Sequence, residues 1–79
     1  MKPLKSASDL EDLIKERMSK LFGPWPKLMT LFVFGEYDRW TVTISNAHSS
    51  GDSFYRGQAL GVAMVLQDQF DLNEPRQLS

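Results

Sequence analysis

The sequence predicts a small α+β domain, α–β–β–α in order, with an antiparallel β-hairpin that carries both helices on one face. Three observations lead there. Apolar residues recur at helical spacing over residues 8–22 and again over 53–70. Between them, two short β-rich runs flank the polar stretch Gly35-Glu36-Tyr37-Asp38. The chain has 79 residues, which is room for one hydrophobic core and one domain.

The first helix opens on Ser8-Asp9-Leu10-Glu11, the spacing of a capping box. In that motif the serine hydroxyl accepts a backbone N–H from the glutamate, and the carboxylate returns to the serine N–H. Leu10, Leu13, Ile14, Met18 and Leu21 share one face. Asp9, Glu11 and Asp12 near the start and Lys20 near the end suit the helix dipole. Gly23-Pro24 stops the helix. Two prolines stiffen the connector Gly23-Pro24-Trp25-Pro26-Lys27, and Trp25 between them is expected to lid one end of the core.

Residues 28–34 are too short and too β-rich for an independent helix, and 39–45 alternate apolar and polar residues. Two registers are open. If Phe34 pairs with Arg39, then Leu31, Val33, Trp40, Val42 and Ile44 share one face, and Phe32 and Phe34 share the other with Thr41 and Thr43. One more loop residue sets Phe34 against Trp40 and flips the first strand. In both registers the first strand is apolar on its two faces.

Asn46 to Ser53 is a loop of turn formers, and Ser50, Asp52 or Ser53 is expected to cap the second helix. Tyr55, Ala59, Val62, Ala63, Leu66 and Phe70 form its apolar stripe, which Phe54, Met64 and Val65 widen beyond the needs of one small core. Gly57-x-x-x-Gly61, interleaved with Ala59 and Ala63, reads as a surface that lets this helix lie close to the sheet or to the first helix. Close contact between helices across a dimer is the alternative. The ordered core is expected over 8–72, with 1–7 and 73–79 mobile.

Composition excludes several classes. Hydrophobic residues at 42% and charged residues at 24% argue against a disordered tail, a collagen-like repeat or a membrane protein. Without cysteine there is no disulfide framework, thiolate zinc site, iron–sulfur cluster or cysteine nucleophile. The longest apolar run, Ala59 to Leu66, is far below the roughly 20 residues that span a bilayer. With no secretory h-region at its start, the chain is expected to be cytoplasmic. The net charge is −1, divided as +2 over residues 1–27 and −3 over 28–79. That balance makes nucleic acid an unfavoured partner.

No phosphate-binding glycine motif is present. His48, Ser49 and Asp52 name a catalytic trio only nominally, because neighbours on a loop of turn formers do not preorganise one. Glu36, Asp38 and Asp52 lack the alternating oxygen ligands of a calcium loop. Tyr37, Trp40, Phe32 and Phe34 could stack single-stranded bases, but Arg39 is the only nearby base against Glu36 and Asp38. The expectation is no catalytic residue, no cofactor and no metal.

Arg39-Trp40-Thr41-Val42-Thr43-Ile44-Ser45, with a helix closing on Leu66-Gln67-Asp68-Gln69-Phe70-Asp71-Leu72, resembles a pattern in small bacterial α-β-β-α proteins. They share a W-x-V-x-[I/V]-S strand and a helix ending L-x-x-x-[F/Y]-D-L. The resemblance spans residues 28–72 and implies a fold but no functional residue. The element order is also that of the double-stranded-RNA-binding domain, whose third strand and basic cluster are missing here.

A lone hairpin is marginal in water, and a domain of this size has a small core. The expectation is therefore a homodimer. It would join two hairpins edge to edge or bury the second apolar sheet face. Its candidate interface is Leu31, Phe32, Phe34, Trp40 and Val65. The function expected is a non-enzymatic, self-associating protein–protein interaction module. The alternative is a nucleic-acid-associated regulator using Lys15, Arg17, Lys20 and Lys27.

Overall fold

The computed structural model describes residues 2–77. Along the chain run β1 (Leu4–Lys5), α1 (Ala7–Phe22), β2 (Thr30–Phe34), a 3₁₀ turn (Tyr37–Arg39), β3 (Thr41–Ser45), α2 (Ser50–Gln69) and β4 (Asp71–Leu72). The protein is a small α+β domain. β2 and β3 form the antiparallel hairpin, and β1 and β4 form a separate parallel pair.

The cap of α1 lies two residues earlier than the capping box suggested. Ser6, not Ser8, is the N-cap, and its hydroxyl accepts the Asp9 N–H at 3.0 Å. The reason lies upstream. Pairing of Leu4 and Lys5 with β4 holds the chain extended, so Ser6 is the last residue outside the helix. Ser6-x-x-Asp9 carries the same spacing signal. Leu10, Ile14 and Met18 fall on the inward face and are fully buried, contributing roughly 1.5–3 kcal/mol each. Leu21 is exposed instead of joining them. At the end of α1, Gly23 takes φ +93°, which a glycine adopts without strain.

The hairpin register is neither of the two expected. Phe34 pairs with Thr41, Val33 with Val42 and Leu31 with Ile44, so the loop is two residues longer than the shorter alternative. A shift of two keeps every side chain on its face. Leu31, Val33 and Ile44 point into the core, and Phe32 and Phe34 point out with Thr41 and Thr43. The extra length comes from Gly35 and the 3₁₀ turn. Gly35 takes φ +118°, and a Cβ there would lie 2.6 Å from the Arg39 carbonyl oxygen. Trp40 leaves the ladder and plugs the core, with its indole N–H donating to the Phe70 carbonyl at 3.0 Å.

α2 begins at Ser50, three residues before the expected start, with Ser49 as its cap. The Ser49 hydroxyl accepts the Asp52 N–H at 3.0 Å. Tyr55, Ala59, Ala63 and Leu66 are its buried face, with Val62 and Phe70 partly buried beside them. The two helices contact each other, α1 packs on β2, and α2 packs on β3. One continuous core joins them to the inner sheet face, including Met29, Leu72 and Ala7. Trp25 sits over one end as expected, edge-on to Tyr55 at 5.4 Å.

Residues close to both ends of the chain take part in backbone pairing. The Asp71 N–H donates to the Pro3 carbonyl at 3.0 Å, and the Asn73 N–H to the Lys5 carbonyl at 2.9 Å. Leu72 is fully buried. Gly35 and Arg76 then exchange two backbone hydrogen bonds of 2.7 and 2.9 Å. Met1, Leu78 and Ser79, parts of the expected mobile ends, lie outside the described residues. No helix among the described residues is long and apolar enough to cross a membrane.

Candidate interaction surfaces

The five residues expected to form one interface fall in three places. Leu31 and Trp40 are in the core, 8% and 2% exposed, and present no surface. The longer loop explains Trp40, and the even shift of register explains Leu31. Phe32 and Phe34 lie half-buried on the outer sheet face, rings stacked at 6.4 Å. Val65 is exposed on the far side of α2, in the other layer of the domain.

The outer sheet face is partly covered by one side chain. The Arg76 guanidinium lies 4.0 Å from the Phe32 ring centroid, a cation–π contact. It also donates to Glu11 Oε2 at 3.3 Å. That same oxygen accepts the Val33 N–H at 2.9 Å. The Arg76 side chain thus lies over part of the second apolar face of β2, which leaves Phe32 and Phe34 half-buried. Edge-to-edge joining through β2 is also obstructed. Its outward amides at Val33 and Gly35 are both engaged, leaving β3 as the open edge of the hairpin. A cavity of about 400 Å³ flanks this segment between Phe34, Gly35, Glu36 and Pro75.

The candidate nucleic-acid residues do not form a stripe. Arg17 donates to Gln69 at 3.4 Å, and Lys20 pairs with Glu16 at 3.1 Å. Lys15 lies 5.8 Å over the Trp25 ring. At 100° per residue, Lys15 stands well over a third of a turn from both Arg17 and Lys20. Lys27 is exposed on the connector beyond the helix.

The loop before α2 is built by backbone contacts. The backbone N–H of His48 donates to Asp52 Oδ2 at 3.1 Å, and the Ser49 hydroxyl caps the helix. Both side chains that might have been read as catalytic partners of His48 therefore serve the helix start. Among the described residues no three His, Cys, Asp or Glu side chains gather as metal ligands. Tyr55 turns its phenol towards the end of α1. Burial pushes its phenol up, and the Ser19 hydroxyl opposes this. Its O–H donates to the Gly23 carbonyl at 2.8 Å, closing the last turn of α1.

The outer face of α2 remains open. Phe54, Leu60, Met64 and Val65 are 61%, 40%, 66% and 49% exposed, around the exposed Gly57 and Gly61. Phe22 continues the patch from α1, edge-on to Phe54 at 6.2 Å. The glycine pair therefore does not serve packing within the chain. Ala59 and Ala63 face inward, whereas a Cβ on Gly57 or Gly61 would meet nothing within 4 Å. Periodicity alone separates the two pairs, since they lie half a turn apart on the helix. The missed signal was the spacing of Phe54, Gly57, Gly61 and Met64 along one outward face.

The chain matches no known protein-family model, no curated protein and no solved structure.

Proposed function

We propose that this chain is a non-enzymatic protein–protein interaction module that self-associates through the outer face of α2. The observation that carries the reading is the contiguous apolar surface of Phe54, Leu60, Met64, Val65 and Phe22 on a domain whose core is otherwise closed. Such a patch, once solvated residues surround it, is characteristic of a binding surface. The polar side chains near the sole histidine are committed to capping, which favours interaction over catalysis. The bases of α1 are held by neighbours and spread around the helix, which disfavours the nucleic-acid reading.

Light scattering of the purified chain across a dilution series tests this. A mass of twice the chain that falls towards the monomer on dilution is the expected result. A monomer at every concentration, together with failure of Met64→Asp to alter any association, would remove self-association from the reading.

A further inference from the structure

We infer that the partner of the α2 face is the α2 face of a second copy, crossing antiparallel at Gly61. This rests on the self-association proposed above and specifies its geometry.

The argument starts from the glycines. Both lie within α2, outside the positive-φ residues, and neither is pressed by a neighbour. Nothing in the chain's own fold uses the absence of a side chain there. Their effect is on the outside, where a bare backbone admits another helix at close range. The side chains beside them supply the matching bulk. Gly57 and Val65 are equally spaced about Gly61. In an antiparallel crossing centred on Gly61, Val65 of one copy sits over the partner's Gly57, and the two Gly61 positions meet on the two-fold axis. A parallel crossing sets Val65 against the partner's Val65 and leaves Gly57 facing a void.

Charge points the same way. A two-fold interface sets a patch against itself, so any charge on it meets its like. Between Phe54 and Val65 the single charged residue is Arg56, which stands on the flank of the face. Asp68 is exposed one turn beyond Met64 on the same face, and in this crossing it lies opposite the partner's Phe54, so neither charge meets its like. The exposed side chains of Phe54, Met64, Val65 and Phe22 supply the apolar surface that such a pair covers, and a specific interface needs about 1,000 Å² in all.

The chain has no cysteine, so engineered thiols report the geometry directly. A disulfide needs Cα atoms within about 7 Å. Gly57→Cys mixed with Val65→Cys under mild oxidation is expected to give covalent dimers containing one copy of each. Gly61→Cys alone is expected to link to itself. Gly61→Leu should weaken association at least tenfold with helical content unchanged, because the site is open in the monomer. Self-linking of Gly57→Cys and of Val65→Cys, each alone, would overturn the antiparallel crossing. A dimer by mass that links only through Thr43→Cys on the outer sheet face would overturn this surface while leaving self-association standing. A monomer by mass would overturn both.

Discussion

The Glu11 carboxylate oxygen that receives the Arg76 guanidinium also receives the Val33 backbone N–H. One side chain of α1 therefore closes the edge of β2 and anchors the arginine that lies over part of its outer face. Removing the acceptor leaves a strand amide unpaired, which costs roughly 1–3 kcal/mol. Glu11→Ala is expected to lose that much in urea unfolding. Glu11→Gln keeps an acceptor for Val33 and should lose less than half as much. Equal losses in the two variants would show that the amide is not the main debt.

Arg76 acts through two weak contacts. Its partly exposed ion pair is worth about 0–1 kcal/mol and its stacking on Phe32 about 0.5–2 kcal/mol. Arg76→Ala should therefore destabilise by about 1–2 kcal/mol. Arg76→Lys should recover only part, since it keeps the charge but not the planar stack. Recovery of full stability by lysine would assign the contribution to charge alone.

Gly35 and Gly23 both take positive φ, but only Gly35 lacks space for a Cβ. Gly23→Ala is expected to cost about 1–3 kcal/mol from backbone strain alone, because φ +93° with ψ −177° is essentially a glycine-only conformation. Gly35→Ala adds a collision with the backbone of Arg39 and Trp40 and should cost at least about 3 kcal/mol. Comparable unfolding midpoints for the two variants would contradict the close approach at Gly35.

Tyr55 ties stability to alkaline pH. Its phenol is raised above the usual 10.0, chiefly by burial. The folded state therefore holds the proton at a pH where the unfolded chain has released it. Stability is constant below pH 10 from this group and falls as pH rises from there through the folded value. Tyr55→Phe should abolish that decline, at the cost of the hydrogen bond to Gly23. An alkaline decline of the same slope in Tyr55→Phe would assign it to another group.

The outward glycines of α2 weaken the isolated domain. Each costs roughly 0.5–1 kcal/mol against alanine inside a helix. At concentrations where the chain is monomeric, Gly57→Ala and Gly61→Ala should each raise stability by that amount. A loss instead would mean that each glycine has an internal role.

What was legible in the sequence was periodic. Leu10, Ile14 and Met18, and Tyr55, Ala59, Ala63 and Leu66, announce their faces by spacing, and alternation separates Leu31 and Val33 from Phe32 and Phe34 without deciding which pair faces inward. What escaped was short and distant. Leu4–Lys5 and Asp71–Leu72 are two residues each, too brief for any period, and they meet across nearly the whole chain. The exit of Trp40 from the ladder depends on an acceptor supplied by Phe70 and on the positive φ of Gly35, which no local pattern encodes. The candidate surface was half legible. Val65 and the excess width of the helix stripe were visible, but which small residues face outward became clear only with the helix seated on the sheet.

The parallel pairing of β1 with β4 has a mechanical side. Parallel strands pulled by the start of one and the finish of the other slide lengthwise past each other. Tension applied before Pro3 and beyond Asn73 therefore strains the two clasp hydrogen bonds together, in shear, instead of peeling them one at a time. A pull from beyond Arg76 loads its two bonds with Gly35 first, and once they part the clasp is what stands between the tension and the core.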